Sequence, residues 1–242
     1  MRSIEIQILN PGAVHDSLQA MQVAARLTQR GETIETLEDF ETLYRKPLDK
    51  QFIENLCELP HPTLQKFGVI NVVVVGLSRR ALAQITRHQN EVKFMSSSLQ
   101  YSDYSDAQRF VFPPGIDAIS WANLATAYEM CADIYDVMIR AGCTPDQAGY
   151  VMPQGLKGVL MISATPYQWK HMIGQRVCLR NTAEVRYIFL KIWERLNNIS
   201  PELFGDAGPG CLKPGGCQEG KMACGLGCMS LDQELVRLED EH

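Results

Sequence analysis

Three side chains able to grip a planar, charged ligand stand at helical spacing: Gln84, Arg87 and His88, at i, i+3 and i+4. An apolar run over residues 69–77 precedes them, and Ser78 occupies a helix-start position. A strand is therefore expected to feed a helix that stacks the three side chains on one face. A serine cluster, Ser96, Ser97 and Ser98, follows where that helix must end. An amide, a guanidinium and an imidazole beside a hydroxyl-rich turn can hold an anionic, heteroaromatic molecule, although a serine run is also an ordinary polar loop. A second set, His171, Arg176 and Glu184, has the spacing His-x4-Arg-x7-Glu. Its guanidinium offers a planar fork that stays charged. Read locally, Arg176 is more often a surface or ion-paired arginine near Glu184, two turns on.

Positioning these groups falls to elements visible along the chain. Residues 3–9 alternate, with Ile4, Ile6 and Ile8 on one face of a strand. A helix over 16–30 carries Leu18, Met21, Ala24, Ala25 and Leu27 and stops at Gly31. A second helix covers 49–59 and ends before Pro60. Residues 67–77 form a β-branched run of the kind buried in a sheet. Paired prolines break the chain within 111–115. The long helix over 117–140 then spaces Trp121, Leu124, Tyr128, Cys131, Tyr135 and Met138 at three- and four-residue steps. Thr144-Pro-Asp-Gln reads as a capping box with proline at the first helical position. Thr165-Pro-Tyr-Gln repeats the device after a strand over 158–163. A helix over 183–197 follows, and an amphipathic turn starts at Ser230 with Leu231, Leu235 and Leu238. Helices and strands mix without regular βα alternation, which predicts an α+β fold. No GxGxxG motif opens a helix after a strand, so a dinucleotide would have to be held some other way.

The stretch RHQNEVKFMSSSLQY, residues 87–101, resembles the signature of the flavin-dependent thymidylate synthases, the ThyX family. That signature is Arg-His-Arg, seven or eight residues, then Ser, with Arg-Tyr shortly after. Gln89 replaces the third signature residue and Gln100 the arginine before Tyr101. His61-Pro-Thr63 is similar to the family's His-x-Ser/Thr turn, and Ala148 to Pro153 to its Ala-Arg-x-Val-Leu-Pro, with Gly149 for the arginine. Residues 171–186 resemble its His-x4-Arg-x7-Glu helix, and the cysteine-bearing segment 207–225 resembles a tail found in many members. The resemblance runs in order through most of the chain.

This likeness implies an α+β subunit with an antiparallel sheet and helices, forming a homotetramer whose FAD sites lie between subunits. It implies a catalytic domain over residues 1–205 and a Gly/Pro/Cys-rich tail with a short terminal helix over 206–242. It further implies methyl transfer to C5 of a uracil nucleotide, dUMP by default. Methylenetetrahydrofolate would give the carbon, reduced FAD the hydride, and NADPH would restore the flavin. Arg176 takes the catalytic position, stabilising negative charge on the ring. Gln84, Arg87, Ser96, Ser97, Ser98, Gln100 and Arg176 fall at substrate positions. His61, Thr63, Arg87, His88, Gln89 and His171 fall at flavin positions. The phosphate-binding arginines expected at Gln100 and Gly149 are missing, as is the acidic residue expected near Ser96. Thr165 and Tyr167 stand where an Asn-x-Arg flavin contact is typical. Lys93 and Arg180 are the candidates to compensate. Smaller groups at Ser96, Gln100 and Gly149 would give room for a 2′-hydroxyl, so a UMP methylase of the polyoxin-pathway type is a close variant.

Composition narrows the alternatives. At 242 residues with 45% apolar residues, the chain has the make-up of one sizeable globular domain. A formal net charge of −5 argues against a general nucleic-acid binder. No apolar run reaches the length of a membrane span, and the opening residues lack a signal-peptide core, so a cytoplasmic protein is expected. Eight cysteines in a chain this long do not make a disulfide scaffold. Cys57, Cys131, Cys143 and Cys178 read as reduced core residues; Cys211, Cys217, Cys224 and Cys228 crowd the tail without CxxC knuckles, so no metal site is assigned. Two other readings stay open. One is a non-catalytic flavin- or nucleotide-binding homologue, and the other is a metal-binding module built on the tail.

Overall fold

Four strands, β1 (Glu5–Ile8), β2 (Ile70–Ser78), β3 (Val92–Ser96) and β4 (Lys157–Ala164), form one antiparallel sheet in the order β1-β2-β4-β3. The computed structural model describes residues 4–105, 110–227 and 229–240. Ser3, the expected first residue of the opening strand, and Cys228 lie outside the described residues, as does the side chain of Leu238.

Alternation decides which face of the sheet is buried. Ile4, Ile6 and Ile8, then Ile70, Val72 and Val74, and then Leu160, Ile162 and Ala164 all point inward. The period-2 rule places such residues on one side. At the end of β2 the register slips: Val75 pairs with Val159 and Leu77 with Gly158, leaving Gly76 as the extra residue. Gly76 has φ +85, a conformation glycine adopts without a Cβ penalty. The bulge turns Leu77 inward one residue out of phase, so that Leu77 is fully buried.

Helices α1 (Gly12–Arg30), α2 (Leu37–Tyr44), α3 (Lys50–Glu58) and α4 (Arg79–Ile85) come before β3 or between it and the first strands. Four further helices are α5 (Ala118–Arg140), α6 (Pro145–Ala148), α7 (Pro166–Arg176) and α8 (Ala183–Ile199). α9 (Pro201–Phe204) and α10 (Leu231–Asp240) complete the set. The sheet's inner face packs with α1, α7 and α8 into one cluster that includes Met21, Trp169, Met172, Ile188, Phe189 and Leu196.

Two elements differ from expectation. α1 starts at Gly12 rather than near Asp16. α2 was unforeseen: it buries no side chain and is held by the Thr36–Asp39 capping box, so it left no apolar stripe to read. The box at Thr144 forms in both directions, whereas at Thr165 only the hydroxyl half forms, accepting from the Gln168 N–H.

α5 is the expected long helix, yet only Tyr128 and Tyr135 are buried along it. Ile119, Trp121, Met130, Ile134 and Val137 are exposed. The tail is ordered against the body: α10 lies on α8 through an Arg186–Glu234 ion pair whose side chains are 4% and 6% exposed. Cys211 is disulfide-bonded, a bond that the spacing of the tail cysteines did not signal.

Candidate active site

The site begins at the bulge of β2. Beyond it, Ser78 caps α4, its hydroxyl oxygen accepting from the Ala81 N–H at 3.0 Å. The Ser78 N–H and O–H donate to the two carboxylate oxygens of Glu184 at 2.7 and 2.6 Å. Glu184 is therefore a brace between the first turn of α8 and the start of α4, and the expected Arg176–Glu184 pair does not form. α4 then ends at Ile85, three residues short of the His88 that the stacking of Gln84, Arg87 and His88 requires. The Thr86 hydroxyl donates to the Leu82 carbonyl at 3.0 Å. The residues after it, Arg-His-Gln-Asn, include weak helix formers. Arg87 and His88 thus lie in a turn, closed by the His88 N–H on the Ile85 carbonyl at 3.3 Å, while Gln84 stays on the helix.

This turn brings His88 to Arg176 at the end of α7. The Arg176 Nε–H donates to His88 Nε2 at 2.8 Å, one Nη donates to the Gln84 carbonyl at 2.9 Å, and the other reaches Asn181 Oδ1 at 3.5 Å. The Asn181 amide nitrogen donates to the Gln175 carbonyl at 2.7 Å, which turns its oxygen toward the arginine. The Gln84 side-chain oxygen accepts from the Thr182 hydroxyl at 3.2 Å. All three acceptors of the guanidinium are neutral groups, so its charge is oriented but not cancelled. Burial, and then the neighbouring Arg87, lower the Arg176 pKa; a guanidinium remains charged under such a shift. His88 can accept from Arg176 only as the neutral imidazole. Burial, the Arg176 charge and His171 push its pKa down to about 4. The two imidazoles meet edge to face, with centroids 6.1 Å apart.

Three open cavities converge on His171. One, of about 850 Å³, is lined by Arg87, His88, Gln89 and His171 together with Lys66 and Tyr167. A second, of about 500 Å³, contains Arg176 and Asn181. A third, of about 320 Å³, is bounded by Pro62 and Tyr167. Four of the six expected flavin residues therefore share one cleft. His61 and Thr63 do not line it; they flank Pro62 at the start of the short turn Pro62–Lys66, whose last residue does. Lys66 spans the cleft, 3.0 Å from the Glu91 carboxylate and 5.4 Å from the centre of the Tyr167 ring. Sequence reasoning missed Lys66, Asn181 and Thr182. Asn181 and Thr182 sit where a helix cap is read, and nothing in that pattern signals an arginine partner.

The serine cluster lies elsewhere. The strand β3 intervenes between His88 and Ser97, which corrects the expectation that the serines end the helix. Val92 pairs with Ala164 and Ser96 with Leu160, so the two ends of β3 are about 13 Å apart at ~3.3 Å per residue. Ser97 is bound to Val159 twice: its N–H donates to the Val159 carbonyl and its Oγ accepts from the Val159 N–H. Ser98 Oγ accepts from the Gln100 N–H at 3.1 Å. The space at Gly149 is closed as well, since an added Cβ would lie 3.2 Å from Leu99 Cβ. Leu99 therefore fills the room expected from losing a side chain at 149. Arg180, a candidate to compensate, pairs with Glu219 at 2.7 Å.

Among the described residues, no cluster of three His, Cys, Asp or Glu side chains could hold a metal ion. Burial pushes the Cys57 thiol up to about 11, which keeps it un-ionised at neutral pH. No helix among the described residues is long and apolar enough to cross a membrane.

The profile of the family described as Thy1, thymidylate synthase complementing protein, matches residues 12–202. A flavin-dependent thymidylate synthase of Geobacter sulfurreducens is 27% identical over 176 residues, 72% of this chain and 75% of its own. The enzyme of that name from Pyrococcus furiosus is 23% identical over 211 residues, 84% and 85% of the two chains. Among solved structures, ThyX from Helicobacter pylori with FAD and dUMP superposes with a TM-score of 0.62 at 15% identity, covering 84% of this chain and 98% of its own. The UMP/dUMP methylase PolB from Streptomyces cacaoi, bound with 5-Br dUMP, gives 0.64 at 15% identity and covers 84% and 94%. At such identities the structural likeness speaks to the fold, which is the expected mixed α/β one.

Proposed function

From the premise that this chain belongs to the thymidylate synthase complementing protein family, we propose that it is a flavin-dependent methyltransferase acting at C5 of a uracil nucleotide. The observation that carries the reading is the Arg176 guanidinium, held by His88, Gln84 and Asn181, three neutral partners that leave its charge for a ligand. C5 of a neutral uracil is a poor nucleophile. A fixed cation at the ring edge favours the charge-separated form in which C5 is electron-rich, and it needs no reorganisation at the moment of reaction. Relatives carrying the name flavin-dependent thymidylate synthase, and a fold-mate that holds FAD and dUMP, support the assignment.

The cleft at Arg87, His88, Gln89 and His171 fits a flavin in its chemistry. It offers amide and imidazole groups for a heteroaromatic ring and Arg87 for phosphates, while Lys66 in the same wall is paired with Glu91. Reduced FAD held there would supply the hydride that turns the transferred carbon into a methyl group. Arg87 would serve both ligands, and His88, kept neutral, orients Arg176 between them. Methylenetetrahydrofolate is the proposed carbon donor and NADPH the proposed reductant. A homotetramer with composite sites is supported by the apolar residues exposed along α5. The test is product analysis with FAD, NADPH, methylenetetrahydrofolate and either dUMP or UMP. A 5-methyl nucleotide is expected. Protein that takes up no FAD and forms no product would overturn the reading. With Leu99 packed on Gly149, acceptance of UMP rests on Ser96 and Gln100 alone, and a strong preference for dUMP would remove it.

A non-catalytic flavin- or nucleotide-binding role is the second reading. It is favoured by Gln100 and Gly149, which stand where the family's phosphate-binding arginines are expected. FAD uptake and nucleotide binding without methyl transfer would select it.

A further inference from the structure

Resting on the methyltransferase reading above, we propose that Glu91 and Lys66 are a positioning pair for the flavin. Their ion pair clips together two turns that line the FAD cleft and presets the cleft before the cofactor enters.

Among the described residues Glu91 is the one non-glycine with a positive φ, at +55. In that region a Cβ crowds the following carbonyl, so glycine or asparagine is the usual occupant. Glycine at 91 would make the same bend without the strain. What glutamate adds is its carboxylate, which accepts from the Lys66 ammonium at 3.0 Å. Strain of this kind persists only where the surroundings impose it, and it gathers at ligand sites.

The two partners belong to different segments of the site. Glu91 ends the turn that carries Arg87, His88 and Gln89, and β3 starts at the next residue, Val92. Lys66 ends the short turn Pro62–Lys66, which follows His61. Both line the cavity of about 850 Å³. Lys66 is fixed from a second side as well, its ammonium lying 5.4 Å from the centre of the Tyr167 ring in the first turn of α7. A cation over an aromatic face is drawn to the ring's negative charge. Three elements of the cleft therefore meet at one ammonium.

The charges agree with this role. Glu91 is the one carboxylate among the described residues lining the cavity. Left bare, it would repel the phosphates of FAD; against Lys66 it is neutralised, and Arg87 is left to meet them. Both ends of the pair are partly exposed, so it adds little to the stability of the fold. Its effect falls on the order of the cleft, because a site already in its bound shape spares the ligand the cost of arranging it.

The full chain freed of flavin is titrated with FAD, with flavin absorbance and fluorescence giving Kd, and urea unfolding is run beside it. Wild type is compared with Lys66→Glu, Glu91→Lys, the double exchange of the two, and Glu91→Gly. The decisive variant is Glu91→Lys. It makes the cleft more positive, so simple attraction would tighten an anionic cofactor. With the clip opened by two repelling ammonium groups, the Kd for FAD is instead expected to rise by about fivefold, the upper range for one partly exposed pair. Lys66→Glu should weaken FAD further, since two carboxylates then face each other and the phosphates. The double exchange should recover most of the affinity. Glu91→Gly relieves the positive φ, so its urea midpoint should hold or rise while FAD binds more weakly. Unchanged or tighter FAD in Glu91→Lys, or a double exchange no better than Lys66→Glu, overturns the clip and leaves the methyltransferase reading standing. A Glu91→Gly protein with a lowered midpoint and wild-type FAD affinity overturns it too, by making the pair a stability element alone. Wild-type protein that takes up no FAD removes the parent reading and this inference with it.

Discussion

The knot around Arg176 and the loop from Ser96 to Gln100 both draw on the signature stretch, the first through His88, yet they do opposite things with their polar atoms. Around Arg176 every acceptor is neutral and comes from a different element: the turn after α4, the last turn of α4 itself, and the segment joining α7 to α8. The charge survives and is aimed. In the serine loop each hydroxyl oxygen is fixed by one backbone donor, Ser97 by the Val159 N–H and Ser98 by the Gln100 N–H, which leaves neutral O–H groups to donate. The lesson is that the two regions offer a ligand different things: the knot a charge held by neutral partners, the loop neutral hydroxyls held by the backbone.

The sharpest way to break that contrast is Arg176→Ala. Removing the positioned cation should lower kcat by about 10²–10³-fold, the usual effect of losing one such donor, while the flavin absorbance is retained. Arg176→Lys should rescue little, because an ammonium cannot span three acceptors set for a planar fork. Wild-type turnover in either protein would end the proposed role. Next in size is Glu184→Ala, which strands the Ser78 N–H and hydroxyl at the cap of α4. It should cost about 1–3 kcal/mol in urea unfolding, and it should loosen the turn that carries His88, lowering kcat as well. Unchanged stability would refute the bracing role.

A subtler effect concerns pH. The His88 imidazole is held at about 4 against an ordinary 6.5, so between those values the unfolded chain binds a proton that the folded chain refuses. The contribution of this residue to stability is therefore whole above about pH 6.5, shrinks as the pH falls, and levels off below about 4. Urea midpoints across this range should show the slope in the wild type and a flatter line in His88→Gln. Parallel slopes would refute the depressed pKa. Smallest of all should be Ser97→Ala. It removes the side-chain acceptor of the Val159 N–H in β4 and should cost about 0.5–1.5 kcal/mol, with FAD content unchanged. A loss of kcat as large as that of Arg176→Ala would place the serine loop at the reacting ring.

Much of the frame was legible from local pattern. The β-branched run of β2, the spaced aromatic residues of α5 and the capping box at Thr144 each carry their own signal, because side-chain period and cap chemistry act over a few residues. The end of α4 was not legible, since the pattern i, i+3, i+4 says nothing about Thr86 diverting to the Leu82 carbonyl. α2 was missed because a helix that buries nothing shows no stripe. The likeness to the family singled out Arg176, but it could not supply Asn181, which reaches the site through a contact local to this fold.

By itself, the order of residues determined which chemical groups this protein possesses, where its main strands and helices form, and which family it belongs to. Those properties arise from neighbours along the chain. Tertiary structure alone decided that Glu184 braces Ser78 rather than Arg176 and that His88 is neutral beneath a guanidinium. Each of these depends on which groups, distant in sequence, shield one another from water, and burial of that kind is set only when the layers close.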